Sequence, residues 1–318
     1  MLRPFEERFP WTLDWNLLRT FMVVVEQRGV TRAADFLGLK QPTVSSALKR
    51  LEETMGHALV IRRPNSFAVT PAGRRLYEQA SSIFGAVSQL PALMGAEEEA
   101  LHGQISLSLA SHVVSPHFDA VLAQFAARHP RVSFAISVVE SGDVINRVRQ
   151  NRASLGLCLI HKRPRDIDCL PFMREYFGLY CGPQHRLFGR KGLRLSDLAG
   201  EPSVSFQTEI EGGPLDSVAR LRARARLAPG PRGISSNLTE IRRMIVSGIG
   251  IGALPVHVAR RDVRDGILWQ VPPYKRLPAI DIHLLSNPRR SHAPAEREFL
   301  AMCREMLTQT PPEERNYA

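Results

Sequence analysis

The chain has 318 residues, 44% hydrophobic and 23% charged, the make-up of an ordinary globular protein with room for two domains. Its formal charge of +11 favours a polyanionic partner, yet residues 1–90 hold 12 Lys and Arg against 8 Asp and Glu and the remainder 30 against 23, so charge alone locates no nucleic-acid site. No run nears the ~18 apolar residues of a membrane span, MLRPFEERFP has no apolar signal region, and Cys158, Cys169, Cys181 and Cys303 form no CxxC, so the expectation is a reduced, cytoplasmic protein off the membrane, with no metal and no cofactor.

Residues 1–14 carry no pattern and are expected to form a loose tail. From 15 to 28, Leu17, Leu18, Phe21, Val24 and Val25 recur at helical spacing, and Gly29 is expected to end that helix. Thr31 is the expected N-cap of a short second helix whose Ala33, Ala34 and Leu37 share a face. Gly38 supplies a turn, and Pro42 opens a third helix. There Val44, Leu48, Leu51 and Met55 make one buried stripe; Ser46, Lys49 and Glu53, flanked by Thr43, Ser45 and Arg50, make the opposite face. On an isolated helix that face would be plain solvated surface. Behind a short helix and a tight turn it reads as the second helix of a helix-turn-helix, with hydroxyls that fit the major groove and with Lys49 and Arg50 able to reach phosphate or guanine.

Residues 59–70 hold two β-prone arms around Pro64-Asn65-Ser66, a hairpin or wing with Arg62 and Arg63 just before its turn, near DNA backbone or minor groove. Thr70-Pro71 starts another helix. Its Leu76, Ala80, Ile83, Val87 and Leu90 follow a heptad seam, and the simplest partner for such a stripe is a second copy of the chain.

Leu17-Leu18-Arg19-Thr20-Phe21, Thr31-Arg32-Ala33-Ala34, Gln41-Pro42-Thr43-Val44-Ser45, Leu51-Glu52 and Val69-Thr70-Pro71-Ala72-Gly73 stand in the order and spacing of LysR-type transcriptional regulators, which the chain closely resembles over 15–80. The resemblance implies that Gln41, Pro42, Thr43, Ser45 and Ser46 meet base edges and sugar-phosphate, with Thr31 and Arg32 beside them. It also implies double-stranded promoter DNA, a small-molecule effector, RNA polymerase and self as partners, the last as a dimer and then a dimer of dimers. The chain departs from the family pattern in three places: Lys40 stands where Ser or Thr is usual, Arg62-Arg63 replaces Glu-Arg, and Pro91 interrupts the linker helix.

From Gly103 strands alternate with helices: strands near Ile105–Leu109, Val132–Val138, 155–160, Phe177–Cys181, Ser203–Phe206, Gly233–Ser235, 250–254, 268–271 and 280–285, with helices near Pro116–Arg128, 144–151, 215–226, 238–247 and 294–307. That order argues a parallel α/β sheet in two units. Such a pair resembles a periplasmic binding protein, the sensor of LysR-type regulators, and the segment from Val246 to Pro255 resembles a family segment. The expected architecture is an all-α winged helix-turn-helix (15–70), a long linker and dimerisation helix (71–102), and an α/β periplasmic-binding-protein-like effector domain of two Rossmann-like subdomains (103–310; the first about 103–181 and 269–310, the second about 182–268).

Ligands of open α/β sheets sit beyond the carboxyl ends of strands, beside helix N-termini. Those places hold Ser111 and His112, Ser141 and Gly142, Ile160 and His161, Gln207 and Thr208, and Asn237, with Ile251 offering an apolar wall. Each alone is ordinary loop polarity; it is the shared position at strand ends that makes them a set. Short hydroxyl and amide side chains without Asp or Glu among them suit an anionic or carboxylate metabolite, and His112 and His161 offer a proton-dependent charge. Two other patterns lead nowhere. Ser46-Ala47-Leu48-Lys49 matches a hydrolase SxxK but lies on the DNA-reading helix, and Gly248-Ile249-Gly250-Ile251-Gly252 runs helix to strand, the reverse of a phosphate loop. A secreted binding protein would need a signal and an enzyme a catalytic cluster, and neither pattern is found, so no enzymatic activity is expected.

Overall fold

The computed structural model describes residues 9–63, 66–87, 90 and 101–317, and the chain divides into two units, Met1–Gln89 and Leu90–Ala318. The first unit runs α1 (Phe9–Thr12), α2 (Trp15–Glu26), α3 (Val30–Leu37), α4 (Gln41–Met55), β1 (Val60–Arg63), β2 (Ser66–Val69) and α5 (Pro71–Val87). Phe21, Val24, Ala33, Val44, Leu48, Leu51 and Ala80 are fully buried in its core. The expected loose tail is corrected at its far end: Phe9–Thr12 make a helical turn, Leu13 is buried, and the Asp14 carboxylate accepts from the Asn16 N–H at 3.0 Å to cap α2.

The join between α2 and α3 also differs from expectation. The left-handed residue is Arg28 (φ 50°), while Gly29 is extended and stands at the N-cap of α3, so Thr31 lies inside the first turn and caps nothing. Gly38 does take the left-handed conformation (φ 64°), turning the chain from α3 to α4. Thr70 ties wing to helix: its hydroxyl donates to the Ala58 carbonyl at 2.7 Å and accepts from the Gly73 N–H at 2.9 Å. Gly73 has no alternative, because a Cβ there would sit 2.1 Å from the Leu59 carbonyl oxygen.

The heptad seam divides. Ala80 is buried in the unit's own core and Leu76 packs against it, whereas Ile83 is half-buried and Val87 and Leu90 are 49% and 53% exposed. Only the later part of the stripe is left for a partner chain. Pro91, where a break was expected, lies outside the described residues.

The second unit runs β3 (Gly103–Leu109), α6 (Pro116–Arg128), β4 (Val132–Val138), α7 (Ser141–Arg149), β5 (Leu155–Leu159), β6 (Asp168–Cys181), β7 (Val204–Phe206), α8 (Asp216–Arg224), β8 (Gly233–Ser235), α9 (Leu238–Val246), β9 (Gly252–Pro255), α10 (Val256–Arg264), β10 (Trp269–Val271), β11 (Ala279–Ser286), α11 (Pro294–Gln309) and β12 (Asn316–Tyr317). The main sheet has the order β10-β6-β11-β5-β3-β4. It is mixed rather than all parallel: β3 pairs in parallel with β4 and β5, but β11 runs antiparallel to both β5 and β6. β6 is more than twice as long as the expected Phe177–Cys181 strand; its first half pairs with β11 and its second with β9 and β10. This strand carries the chain from one subdomain to the other. β10 joins the second subdomain through Leu179–Cys181, so the return crossing is β11 and falls later than the expected boundary at 269.

Candidate functional site

On α4 the two faces separate cleanly. Val44, Leu48 and Leu51 have no exposed surface, while Gln41, Pro42, Thr43, Ser46, Lys49 and Arg50 are exposed and Ser45 is half-buried. Lys40, at the N-cap, makes no side-chain cap. Lys49 lies 3.8 Å from Glu53 and Arg50 lies 3.8 Å from Asp14, both across solvent-exposed geometry. Pairs of that kind contribute only ~0–1 kcal/mol, so either cation can exchange its carboxylate for a phosphate at little cost. Thr31 is exposed on α3, and Arg32 turns back to donate to the Arg28 carbonyl. Arg62 and Arg63 end β1 opposite Phe67 and Ser66; their side chains, and the turn at Pro64 and Asn65, lie outside the described residues.

Glu52 stands in one of the family motifs, but the sequence assigns it no role. Its carboxylate accepts from the Leu59 and Val60 N–H groups at 2.8 and 3.2 Å, so it fastens the root of the wing to α4. A Leu-Glu pair near the end of a helix that precedes a hairpin is the available signal.

The cleft residues meet unevenly. Ser111, beyond β3, crosses to the other subdomain: its hydroxyl donates to the Ser236 carbonyl and accepts from the Leu238 N–H, both at 3.0 Å. Asn237 caps α9, with its side-chain oxygen accepting from Thr239 N–H at 2.8 Å. The N-terminus of α9 is therefore already supplied with acceptors from the protein itself. Gln207 is exposed and Thr208 half-buried just past β7, and the Gln207 N–H bonds the Ser235 carbonyl. Ser141 is buried and Gly142 exposed at the start of α7, whose N-cap residue Glu140 makes no side-chain cap. Ile160 is half-buried and His161 exposed beyond β5. Ile251 is not a wall of the cleft: it has no exposed surface and is held in a parallel bridge to Ser203 inside the core.

His112 is buried against Phe177 and Phe206, ring centroids 6.4 Å from each. Burial, helped by His257, pulls its pKa down to about 4, which corrects the expectation of a proton-dependent charge there at neutral pH. Beside it stands an acidic side chain that the strand-end positions do not select. Glu175, on the crossing strand β6, is fully buried with Oε1 3.8 Å from His112 Nε2. Burial pushes its carboxyl well above the usual range, which favours the protonated form. Sequence spacing could not reveal it, since it sits mid-strand and not at a strand end.

Comparison with known proteins gives two family matches: residues 15–74 match the bacterial regulatory helix-turn-helix protein, lysR family, and residues 98–308 match the LysR substrate binding domain. The HTH-type transcriptional regulator CfxR of Cupriavidus necator is 30% identical over 80% of this chain and 79% of its own length. The HTH-type transcriptional regulator CysL of Bacillus subtilis is 28% identical over 78% of this chain and 83% of its own. Among solved structures, CbnR, a LysR family transcriptional regulator, matches with a TM-score of 0.65 and 18% identity over 92% of this chain and 99% of that one. A full-length OxyR variant from Pseudomonas aeruginosa matches with a TM-score of 0.57 and 18% identity over 92% and 94%. At these identities the structures speak for the fold.

Proposed function

Because the chain belongs to the LysR family of transcriptional regulators, with a DNA-binding and an effector-binding domain, we propose that it reads a specific operator through Gln41, Pro42, Thr43, Ser45, Ser46, Lys49 and Arg50, with Thr31, Arg32, Arg62 and Arg63 alongside. The observation that carries this reading is the split of α4 into a fully buried stripe and an exposed hydroxyl-rich, basic face. The wider assembly belongs to the same proposal: a dimer through the exposed end of the Leu76–Leu90 stripe, a dimer of such dimers, contact with RNA polymerase, and action in the cytoplasm where the promoter is. No described helix is long and apolar enough to cross a membrane. CbnR has been solved in complex with its target DNA, and it shares this fold at 17% identity with a TM-score of 0.63.

The effector in this proposal is a small anionic or carboxylate metabolite between the two subdomains. Ser111 and Asn237 are engaged with the protein in the arrangement seen, which leaves Ser141, Gly142, Gln207, Thr208 and His161 as its polar contacts. Two measurements test the reading. Retention on promoter duplex should exceed that on random duplex and fall steeply with salt; equal, salt-insensitive retention would defeat it. In a thermal-shift screen of small carboxylates and aromatic acids, a ligand at ~100 times its dissociation constant stabilises by roughly 2.7 kcal/mol. A response only to cationic compounds would overturn the anion reading.

A further inference from the structure

The family match ends at residue 308, yet residues 310–317 are tied back onto the second unit. The chain leaves α11, turns through Pro311 and Pro312, and doubles back onto the crossing strand. Arg315 anchors the return. Its guanidinium is buried and donates to three main-chain carbonyls: Thr310 at 3.0 Å, Pro171 at 3.0 Å and Phe172. The Arg174 N–H donates to the Arg315 carbonyl at 2.9 Å, and β12 then pairs in parallel with Arg174 and Glu175 of β6.

Tyr317 is the tip. Its hydroxyl lies 2.9 Å from Ser115 Oγ and 2.6 Å from His117 Nδ1, and its ring stacks on His117 with centroids 6.0 Å apart at 25°. The same ring lies 5.1 Å from that of His257, whose Nε2 is 3.0 Å from the Val114 carbonyl. Ser115 and His117 begin α6 in the first subdomain. His257 is on α10, which follows β9 in the second. One aromatic side chain on an added strand thus touches both subdomains and the strand that crosses between them.

We propose that residues 310–317 are a latch, pinned by Arg315 and closed by Tyr317, that holds the two effector subdomains in the arrangement seen and sets how readily they move against each other. A segment that merely tidied the end of α11 would need neither a buried guanidinium nor a tyrosine lodged between two subdomains. A two-body sensor responds to ligand only as far as ligand shifts the balance between arrangements, so a latch that favours one arrangement sets the threshold of the response. The proposal stands whatever the effector is.

The test uses the full chain. All four native cysteines are buried, so dyes can be placed selectively through Ala127→Cys on α6 and Ala223→Cys on α8, both exposed, with labelled chain diluted into excess unlabelled chain. Single-molecule energy transfer reads the distance between subdomains, and hydrogen exchange reads the fold. With Tyr317→Ala, the distance distribution should broaden, and exchange should quicken at least about tenfold at 112–118 and 256–260 while the sheet interior stays protected. Tyr317→Phe keeps the ring stack, loses the hydroxyl contacts and should fall between the two. An unchanged distribution overturns the latch. So does faster exchange confined to 310–317, or faster exchange spread evenly over 103–309, which is the mark of a segment that serves only general stability.

Discussion

At the scale of single residues, what a side chain already does decides what it can be asked to do. Arg50 holds only an exposed contact to Asp14, 3.8 Å away. Arg50→Ala should therefore leave folding intact and weaken operator binding by about 1–3 kcal/mol if the guanidinium reads a guanine, with relaxed preference at one base pair. Gel-shift titration on operator and on random duplex checks this; equal losses on both would make it a phosphate contact with a reduced salt slope. Thr208 is half-buried past β7, so Thr208→Val should cost about 1–3 kcal/mol of effector affinity if its hydroxyl is paired with the ligand, and should leave operator binding unchanged. Gly73 is the opposite case. A methyl group there meets the Leu59 carbonyl oxygen at 2.1 Å, so Gly73→Ala should destabilise the first unit by about 1–3 kcal/mol, read as a lower urea midpoint. The amino-acid type showed where most of these residues stand, but not their engagements. Ser111 and Asn237 read from sequence as free hydrogen-bonding groups; in the fold each is already spent on a main-chain group of the α9 entrance.

At the scale of elements, hydrophobic spacing was a sound guide where an element buries one face and a weak one elsewhere. The α4 stripe was legible because Val44, Leu48 and Leu51 all turn to the same core. α10 was not, because its sequence Val256–Arg264 is rich in charge and buries only Ala259. The Asp168–Tyr176 half of β6 is not legible in the sequence because its charged Asp168, Arg174 and Glu175 interrupt the apolar pattern, although Arg174 is matched by Asp281 on the neighbouring β11 at 2.6 Å. The linker stripe shows a different limit: spacing reveals that a face is apolar but not what covers it. Leu76 and Ala80 are used by the chain's own first unit, and Val87 and Leu90 are left exposed. The informative dimer test is therefore Val87→Glu. Since Val87 is 49% exposed, the variant should fold as a monomer would, yet light scattering should show dissociation at concentrations where the parent is oligomeric. An intact oligomer would move the contact away from this stripe.

At the scale of the whole molecule, the buried ionisable groups predict a pH profile with three regimes. His112, with its pKa drawn from 6.5 to about 4 by burial, refuses a proton that the unfolded chain accepts below pH 6.5; alone it would make stability fall as pH drops from 6.5 toward 4. Glu175, raised well above 4.5 by burial, keeps a proton that the unfolded chain gives up; alone it would make stability fall as pH rises above 4.5. Between about pH 4.5 and 6.5 the two oppose each other, so this pair should add little net slope there, while His185, His257 and His283, also lowered by burial, make stability fall as pH drops. Removing either partner exposes the other. Relative to the parent, Glu175→Gln should steepen the rise of stability with pH through that window, and His112→Phe should flatten or reverse it. Below pH 4.5 a separate group takes over. Burial alone would raise Glu296, but hydrogen bonds from His292, Arg290 and Ser154 outweigh it and bring the carboxyl down to about 2. Its contribution is complete above pH 4.5 and is lost as pH falls toward 2, so acid should unfold the effector domain in a step that Glu296→Gln removes. Thermal midpoints of the parent and the three variants from pH 3 to 8 decide the matter. Parallel slopes in the Glu175 and His112 variants would show that the two groups do not compensate each other in the cleft.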